Sequence, residues 1–365
     1  MKKNIFVAFG GKSPEHDVSC ITGLQVIKAV TNDKYNVYPL YIAKNGKMYV
    51  DKSLTKLEKL KNFKFKPHTL AHFKLGDKKL YFDGITKSSV DVTCVIQCFH
   101  GGIYEGGAFS ALLEMCCIPY TSTGIVGGAV GMDKELQKRV AKAVGVEVCP
   151  YVAVKKNSVG DLTKLFEISK NLIVKPNDLG SSIGVSKVAN EAELTDALAL
   201  VYTYSDVAIV ERFLENFYEL NISAFEIDGK INLSAIEKPK AKNEILTFED
   251  KYLSKSVKTK GMKNLTRELP AVIDIEIENK LKSYAKKMYE TLRLSSVCRF
   301  DFLVENGIVY FNEVNTIPGS IAFYLWENRG VKFNELVDHM IEEAIKNAET
   351  RSRIIRNINT KVLNN

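Results

Sequence analysis

Arg299-Phe-Asp-Phe-Leu-Val-Glu-Asn-Gly-Ile-Val-Tyr-Phe-Asn-Glu-Val-Asn315 is the stretch that decides the fold of this chain. Two strand-like runs flank Glu305-Asn306-Gly307, a three-residue loop signal with glycine where a left-handed backbone is needed. Side chains alternate along a strand, so an odd-length loop keeps odd-numbered residues on a common face. Arg299, Asp301, Glu313 and Asn315 then project together. Two carboxylates and an amide oxygen make a hard, oxygen-only donor set suited to Mg²⁺ that also holds phosphate oxygens. The arginine beside them can neutralise charge developing on a reacting group. Any one of these side chains taken singly reads as part of a solvated strand face. Four converging, followed by Thr316-Ile-Pro-Gly319, read as a site.

Working outward, VAIVERFL (207–214) is a strand leading into ELNISAFEIDGKINLSAIEK, a meander of alternating strands. Helices are expected over 274–293 and 332–346. Before them, residues 133–145 form a helix for which Asp133 is a suitable cap, and 190–200 another capped by Asn190. LIVKP (172–176) and IGVSKV (183–188) are strands joined by the loop NDLGSS. At the start, IFVAF (5–9) ends in Gly10-Gly11, residues 18–30 have helical periodicity, and VYPLYIA (37–43) is a strand. This β-loop-α-β opening indicates a parallel sheet with helices on its faces. Residues 44–89 are basic and irregular, with a hairpin around Gly76-Asp77. VTCVIQCFH (92–100) is a buried strand, a helix over 108–117 follows, and a domain boundary falls near Ser122.

The chain of 365 residues has room for two or three domains, and 45% hydrophobic with 26% charged residues is ordinary for a globular protein. Its net charge of +8 suits anionic ligands, but it is spread out rather than gathered in a stripe, which argues against a nucleic-acid partner. The seven cysteines are odd in number, form no CxxC pair and sit mostly in apolar surroundings, so buried reduced thiols are expected. The apolar run after Met1-Lys2-Lys3 is too short for a signal peptide, and no stretch is long enough to cross a membrane. A cytoplasmic protein is the expectation.

Strand-loop-helix glycine motifs suggest a nucleotide. Gly10-Gly11-Lys12-Ser13 mimics the end of a P-loop, but Phe6 stands where the first glycine is required. No GxGxxG follows a strand. Lys175-Pro-Asn-Asp-Leu-Gly-Ser-Ser-Ile-Gly184 offers another route, a lysine at a strand end before a flap whose N–H groups and hydroxyls close over phosphate oxygens. Taken alone, it is equally an ordinary hairpin. Lys134 can add a second cation, although a lone helical lysine is usually solvated. Glu211-Arg-Phe-Leu214 can offer backbone groups to an adenine edge, with Glu219 placed for ribose hydroxyls; singly, either glutamate reads as a surface residue. Glu15, opening the first helix, is either a cap or a carboxylate that grips the ammonium of an amino acid. His100 ends a buried strand where open α/β sheets bind ligands. Lys251-Tyr252, within NEILTFEDKYLSKS, belongs to a polar loop that can act as a lid.

Taken together, GGKSPEHDVS, FHGGIYEGG, LLEMCCIPYTS, MDK, LIVKPNDLGSSIGVSKV, VERFL, EDKYL, RFDF and NEVNTIPG resemble, in order over nearly the whole chain, the D-alanine–D-alanine ligase family of the ATP-grasp superfamily. The resemblance implies an α/β protein with a three-domain ATP-grasp fold: an N-terminal open parallel-sheet domain (1–122), a central domain with the glycine-rich flap (123–212) and a C-terminal domain with metal site and lid (213–365). It also implies a homodimer and a role in peptidoglycan precursor synthesis. One substrate carboxylate attacks the γ-phosphate of ATP to give an acylphosphate, and the amine of a second amino acid displaces phosphate. Carried onto this chain, Lys134, Lys175, Ser182 and Lys251 hold phosphates; Glu211, Leu214 and Glu219 bind adenosine; Asp301, Glu313 and Asn315 hold Mg²⁺ (or Mn²⁺). Glu15, linked through Ser181 and Tyr252, takes the first D-alanine's ammonium. Arg299 and the N–H of Gly319 stabilise the oxyanion, where losing one donor typically costs about 3–4 kcal/mol. His100, Tyr324 and Leu325 lie near the acceptor.

Two departures stand out. The family's glycine-glutamate-aspartate-glycine loop is Tyr104-Glu105-Gly106-Gly107 here. Tyr324 occupies the position of a serine that, with the following leucine, binds the acceptor's carboxylate, which reshapes that pocket. D-serine or another small D-amino acid is therefore an alternative acceptor. Tyr252, where relatives making D-lactate esters carry histidine, favours an amide product. A homologue that binds nucleotide without ligating, and a different ATP-grasp carboxylate–amine ligase that does not need Glu15, are the remaining alternatives.

Overall fold

Residues 2–31, 33–83, 88–157, 160–240 and 267–355 are described by a computed structural model. Strands β1 (Lys3–Gly10) and β2 (Tyr35–Ile42) pair in parallel on either side of the helix His16–Ala29 in sequence. Residues 44–89, expected to be irregular apart from a hairpin around Gly76-Asp77, carry β3 (Met48–Val50), β4 (Leu70–Phe73), β5 (Lys79–Phe82) and β6 (Ser88–Asp91), which extend the sheet antiparallel; β4 and β5 form the expected hairpin. Only one face of this extension is apolar: Ala71 and Leu80 are buried while lysines and hydroxyls take the alternate positions, so the pattern is too short and too polar to stand out. On the other flank β7 (Cys94–Gln97) and β8 (Tyr120–Thr121) continue in parallel, giving eight strands in the order β6-β5-β4-β3-β2-β1-β7-β8. Ile5 to Phe9 at its centre are wholly buried, as expected of a strand covered on both faces.

The second sheet is antiparallel, with β9 (Tyr151–Lys155), β10 (Leu172–Pro176), β11 (Ser186–Val188) and β12 (Val207–Arg212) in the order β11-β10-β12-β9. The helix Glu191–Val201 covers one face, packing Leu194, Leu198 and Val201 on Val174 and Val210. Asn190 caps it as expected, accepting from Glu193 N at 3.0 Å.

In the third sheet β13 (Tyr218–Ile227), β14 (Lys230–Pro239), β15 (Arg267–Glu268), β16 (Cys298–Glu305) and β17 (Ile308–Asn315) run in the order β15-β14-β13-β16-β17. The helix Ile275–Thr291 lays Leu281, Tyr284, Ala285 and Met288 against Ile222, Phe300, Phe302 and Phe311. The hairpin differs from its sequence reading. Glu305 pairs with Ile308, so the turn is the two residues Asn306-Gly307, both left-handed at φ 51° and 79°. By itself that turn would set Arg299 opposite Val314 and send Glu313 to the apolar face. A bulge intervenes: Phe302 faces Phe311 but Asp301 faces Glu313, leaving Asn312 as the additional residue. Arg299 then pairs with Asn315, and all four polar side chains share a face after all.

The helix Phe333–Ser352 continues past Ala348 and packs Leu336, Val337 and Ile341 into the first core. All seven cysteines are free, and six are buried; Cys117 is exposed, because its left-handed φ of 55° ends a helix and turns it outward. Among the described residues no helix is long and apolar enough to cross a membrane.

Gly23 tests the packing of the helix on β1. A Cβ there would lie 2.5 Å from Cγ of Phe9. Gly23→Ala should cost about 1–3 kcal/mol as an overpacked core position, lowering the denaturation midpoint without changing its slope; an unmoved midpoint would mean that this contact yields freely.

Candidate active site

The polar face of the third sheet presents a row running straight across four strands. Glu237 on β14 pairs with Asn221 on β13, Asn221 with Asp301 on β16, and Asp301 with Glu313 on β17. Ser223, Arg299 and Asn315 form the next row. Arg299 grips Asp301 with both arms, Nε to Oδ1 at 2.7 Å and Nη2 to Oδ2 at 2.8 Å, and Asn315 Nδ2 donates to Asp301 Oδ2 at 3.0 Å. Burial works against the Arg299 charge, but Asp301 more than offsets it and holds the guanidinium firmly protonated.

Between this face and the second sheet lies an open cleft. Lys134, Lys175, Ser182, Glu211, Leu214, Glu219, Asp301 and Glu313 all line it. The strand β10 ends at Pro176 and delivers Lys175, whose Nζ meets Glu211 Oε2 at 3.0 Å and donates to Asn312 Oδ1 at 2.9 Å. Lys134 is buried rather than solvated: its Nζ donates to Leu179 O at 2.6 Å and pairs with Glu313 Oε2 at 3.1 Å. Asp133 caps its helix, accepting from Leu136 N at 2.9 Å. Glu211 is not a surface residue either, being held between Lys175 and Lys138. Burial alone would raise its carboxyl, yet Lys138 and Lys175 keep it below the usual range.

Glu15 does not cap its helix through its side chain. It accepts instead from the hydroxyl of Ser181, in the flap where Ser181 and Ser182 are both left-handed. Gly101 presses against it so closely that a Cβ would stand 2.5 Å from Glu15 Oε2. His100 is wholly enclosed, with Nε2 2.8 Å from Thr22 Oγ1. Burial, helped by the positive charge of Arg299, pushes its pKa down to about 4, so the imidazole is neutral at pH 7. Glu105, from the departing loop, joins two segments: it accepts from Gly101 N at 2.7 Å and from Thr316 Oγ1 and Ile317 N, each at 3.0 Å. Burial raises its carboxyl to about 7.

After Gly319 the backbone turns sharply, with Ser320, Ile321 and Ala322 all left-handed at φ 55°, 53° and 48°. Such positions cost of order 1–3 kcal/mol each for residues other than glycine and persist where the surroundings fix them. Here Ser320 N donates to Thr22 Oγ1 at 3.1 Å, and the Ile321 and Ala322 side chains are buried. Tyr324 donates its hydroxyl to Glu237 Oε1 at 2.8 Å. Arg267 pairs with Glu237 Oε2 at 2.7 Å and lays its guanidinium 4.0 Å over the Tyr324 ring. Leu325 packs into the hydrophobic core. Lys251 and Tyr252 fall outside the described residues.

Lys138, Asn312, Glu105, Glu237 and Arg267 were not singled out as site residues from the sequence. The break in alternation between Val309, Phe311 and Val314 was a signal for Asn312, and Glu105 lies within the loop that departs from the family pattern; Lys138, Glu237 and Arg267 meet their partners across long sequence separations.

Two family models cover most of the chain: "D-ala D-ala ligase N-terminus" over residues 4–123 and "D-ala D-ala ligase C-terminus" over 140–342. A D-alanine–D-alanine ligase of Thermosipho melanesiensis is 34% identical over 370 residues, spanning 99% of this chain and 98% of that one. Among solved structures, the D-alanine–D-alanine ligase of Coxiella burnetii superposes with a TM-score of 0.82 at 24% identity, covering 97% of each chain. That of Bacillus anthracis, solved with ATP, gives 0.70 at 22%, covering 96% of this chain and 99% of that one.

The Glu105 bonds give a pH signature. A carboxyl raised from 4.5 to about 7 on folding makes the folded state bind more protons than the unfolded, so this group's contribution to stability is lost as pH rises across that window. In Glu105→Gln an amide NH₂ must face an N–H or O–H donor, at a cost of about 1–3 kcal/mol, but nothing titrates there. The gap in melting temperature between wild type and variant should therefore narrow from pH 5 to pH 8; a constant gap would show that Glu105 does not titrate in that window.

Proposed function

This chain belongs to the D-alanine–D-alanine ligase family, and from that premise we propose that it joins two D-alanines into D-alanyl-D-alanine at the expense of ATP, supplying peptidoglycan precursor. Its fold is the ATP-grasp fold of that family. The carrying observation is the cleft between two antiparallel sheets in which Lys134 and Lys175 meet the carboxylates of Glu211 and Glu313. Residues 1–122 are taken to bind the first substrate, 123–212 to supply the flap and 213–365 the metal site. A cytoplasmic homodimer completes the reading, supported by the family resemblance. Phosphate release from ATP with D-alanine alone, with the dipeptide identified by mass, tests the assignment; absence of both would overturn it.

Lys134, Lys175 and Ser182 are assigned to the phosphates, and Glu211, Leu214 and Glu219 to adenosine; all six line the cleft. Asp301, Glu313 and Asn315 fit a magnesium ion, since all offer hard oxygen atoms. Two carboxylates and one amide are too few to hold it alone, which matches the habit of Mg²⁺ of sharing its shell with substrate phosphates. When bound, the ion neutralises phosphate charge. Glu15 is assigned to the first D-alanine's ammonium, its carboxylate aimed by the Ser181 hydroxyl. Arg299 and the Gly319 N–H are the donors for the oxyanion of the tetrahedral intermediate, fixed before reaction and so spared reorganisation. A neutral His100 near the acceptor adds no charge that would repel its amine in the protonated state.

The acceptor is where this chain has its own chemistry. With its hydroxyl committed to Glu237 and Arg267 stacked on its ring, Tyr324 makes a different pocket wall from a serine. This supports the second reading, ligation of D-alanine to D-serine or another small D-amino acid.

Asp301→Asn should cut turnover by roughly a hundredfold or more and weaken the response to Mg²⁺ titration; undiminished Mg²⁺-dependent phosphate release would remove Asp301 from the metal set. Tyr324→Ser, by deleting the ring beneath Arg267, should change relative rates across D-alanine, D-serine and glycine as acceptors while leaving the KM for ATP within about twofold of wild type, because Tyr324 does not line the cleft. Unchanged acceptor ratios would take Tyr324 out of the pocket.

A further inference from the structure

The helix Lys134–Ala143 buries an unusual stripe: Lys134, Gln137, Lys138 and Ala141 face inward while Leu136 is exposed. Lys134 reaches the cleft, and Gln137 is tied by donating to Gly131 O at 2.6 Å and accepting from Val314 N at 2.9 Å. Lys138 does neither. Its side chain is 0% exposed and does not line the cleft, and its Nζ lies 2.6 Å from Glu211 Oε1. A buried ammonium is costly to keep unless it serves its partner. Burial lowers its pKa, with Glu211 pulling the other way.

We infer that Lys138 is a positioning residue for nucleobase recognition, acting through Glu211; this rests on the assignment of Glu211 to adenosine and takes its carboxylate to be the group that meets the base. Two lysines hold this carboxylate, one on each oxygen: Lys138 on Oε1 and Lys175 on Oε2 at 3.0 Å. The lysines are not equivalent. Lys175 lines the cleft, has a second partner in Asn312, and is the cation a phosphate would recruit. Once it turns toward phosphate, only Lys138 keeps Glu211 ionised and aimed. An ionised carboxylate accepts from the exocyclic amine of adenine and repels a base with a carbonyl there. Without Lys138, the carboxylate would follow Lys175 or take up a proton, and a protonated carboxyl can donate to a carbonyl.

The test compares ATP with inosine triphosphate, whose base carries that carbonyl, in phosphate-release assays on wild type, Glu211→Gln, Lys138→Met, Lys138→Arg and the double variant Lys138→Met/Glu211→Gln. Loss of one charge-assisted hydrogen bond corresponds to roughly tenfold or more in the ATP-to-inosine preference in kcat/KM. That preference should collapse in Glu211→Gln and in Lys138→Met, mainly through KM, and should survive in Lys138→Arg. Because Lys138 acts through Glu211, the double variant should be no worse than Glu211→Gln alone. This comparison remains decisive where Lys138→Met by itself fails to fold. Collapse in Glu211→Gln with full preference retained in Lys138→Met, or a double variant much worse than Glu211→Gln, would overturn the inference. Full preference in Glu211→Gln would instead defeat the assignment of Glu211 to the base.

Discussion

Everything in this site depends on the register between β16 and β17. A two-residue turn at Asn306-Gly307 closes the hairpin, and a single additional residue, Asn312, shifts the pairing between Phe302 and Asp301. Side-chain parity in a strand is binary, so that one residue decides whether Glu313 lies beside Asp301 or under the helix Ile275–Thr291. The hydrophobic pattern enforces the choice from the other face. Val309 and Phe311 lie in the core between the turn and the bulge, and Val314, beyond it, is the residue that would turn to the polar face in the unbulged register. The bulge residue is also used: its amide oxygen accepts from Lys175 on the opposite sheet. One local irregularity thus fixes the carboxylate pair and meets the lysine across the cleft.

Charge balance is the second constraint. Three carboxylates of the cleft have a cation within contact distance: Asp301 has Arg299, Glu313 has Lys134, and Glu211 has two lysines. Isolated charges at this depth would shift their protonation instead of staying ionised. Alternating signs keep the groups charged in the cleft proposed above for ATP. Lys175 shows the result, its ammonium held protonated by Glu211 and Glu313 even though burial alone would push it down. The opposite treatment applies nearby: His100 and Glu105 lack such partners, and burial drives both toward the neutral form.

What the sequence made legible follows from the range of the forces involved. Asp133 and Asn190 were readable as caps because a cap acts within three residues, and both donors are where capping requires. The central strand of the first sheet was readable because burial on both faces leaves only apolar residues. In the segment 44–89 only the hairpin around Gly76-Asp77 was readable, since its strands are three or four residues long, too short to show a period. The sequence reads as a three-residue loop at the hairpin, and the face assignment agrees with the structure because the bulge restores the parity that the shorter turn removes. Lys138 was hidden for a different reason. It sits in a helix whose buried stripe is polar, where periodicity signals solvent, and its meaning depends on Glu211, 73 positions later in the numbering.

The loop after Pro318 shows how the two cores cooperate at one point. Three consecutive left-handed residues without glycine are a poor choice for an unsupported backbone. They are held by ties from both sides: Thr22 of the first sheet's helix accepts from Ser320 N, Glu105 accepts from Ile317 N, and Trp326 Nε1 donates to Ser223 Oγ on β13 at 2.9 Å. Thr22 also meets His100, so that histidine and this loop share an anchor. The first sheet therefore shapes the site without forming the nucleotide cleft. It fixes the conformation of the segment around Gly319 through hydrogen bonds from Thr22 and Glu105. A donor for an oxyanion is useful only if its position is settled before charge develops, and for the Gly319 N–H, proposed above for that role, these ties from residues far away in the sequence would settle it.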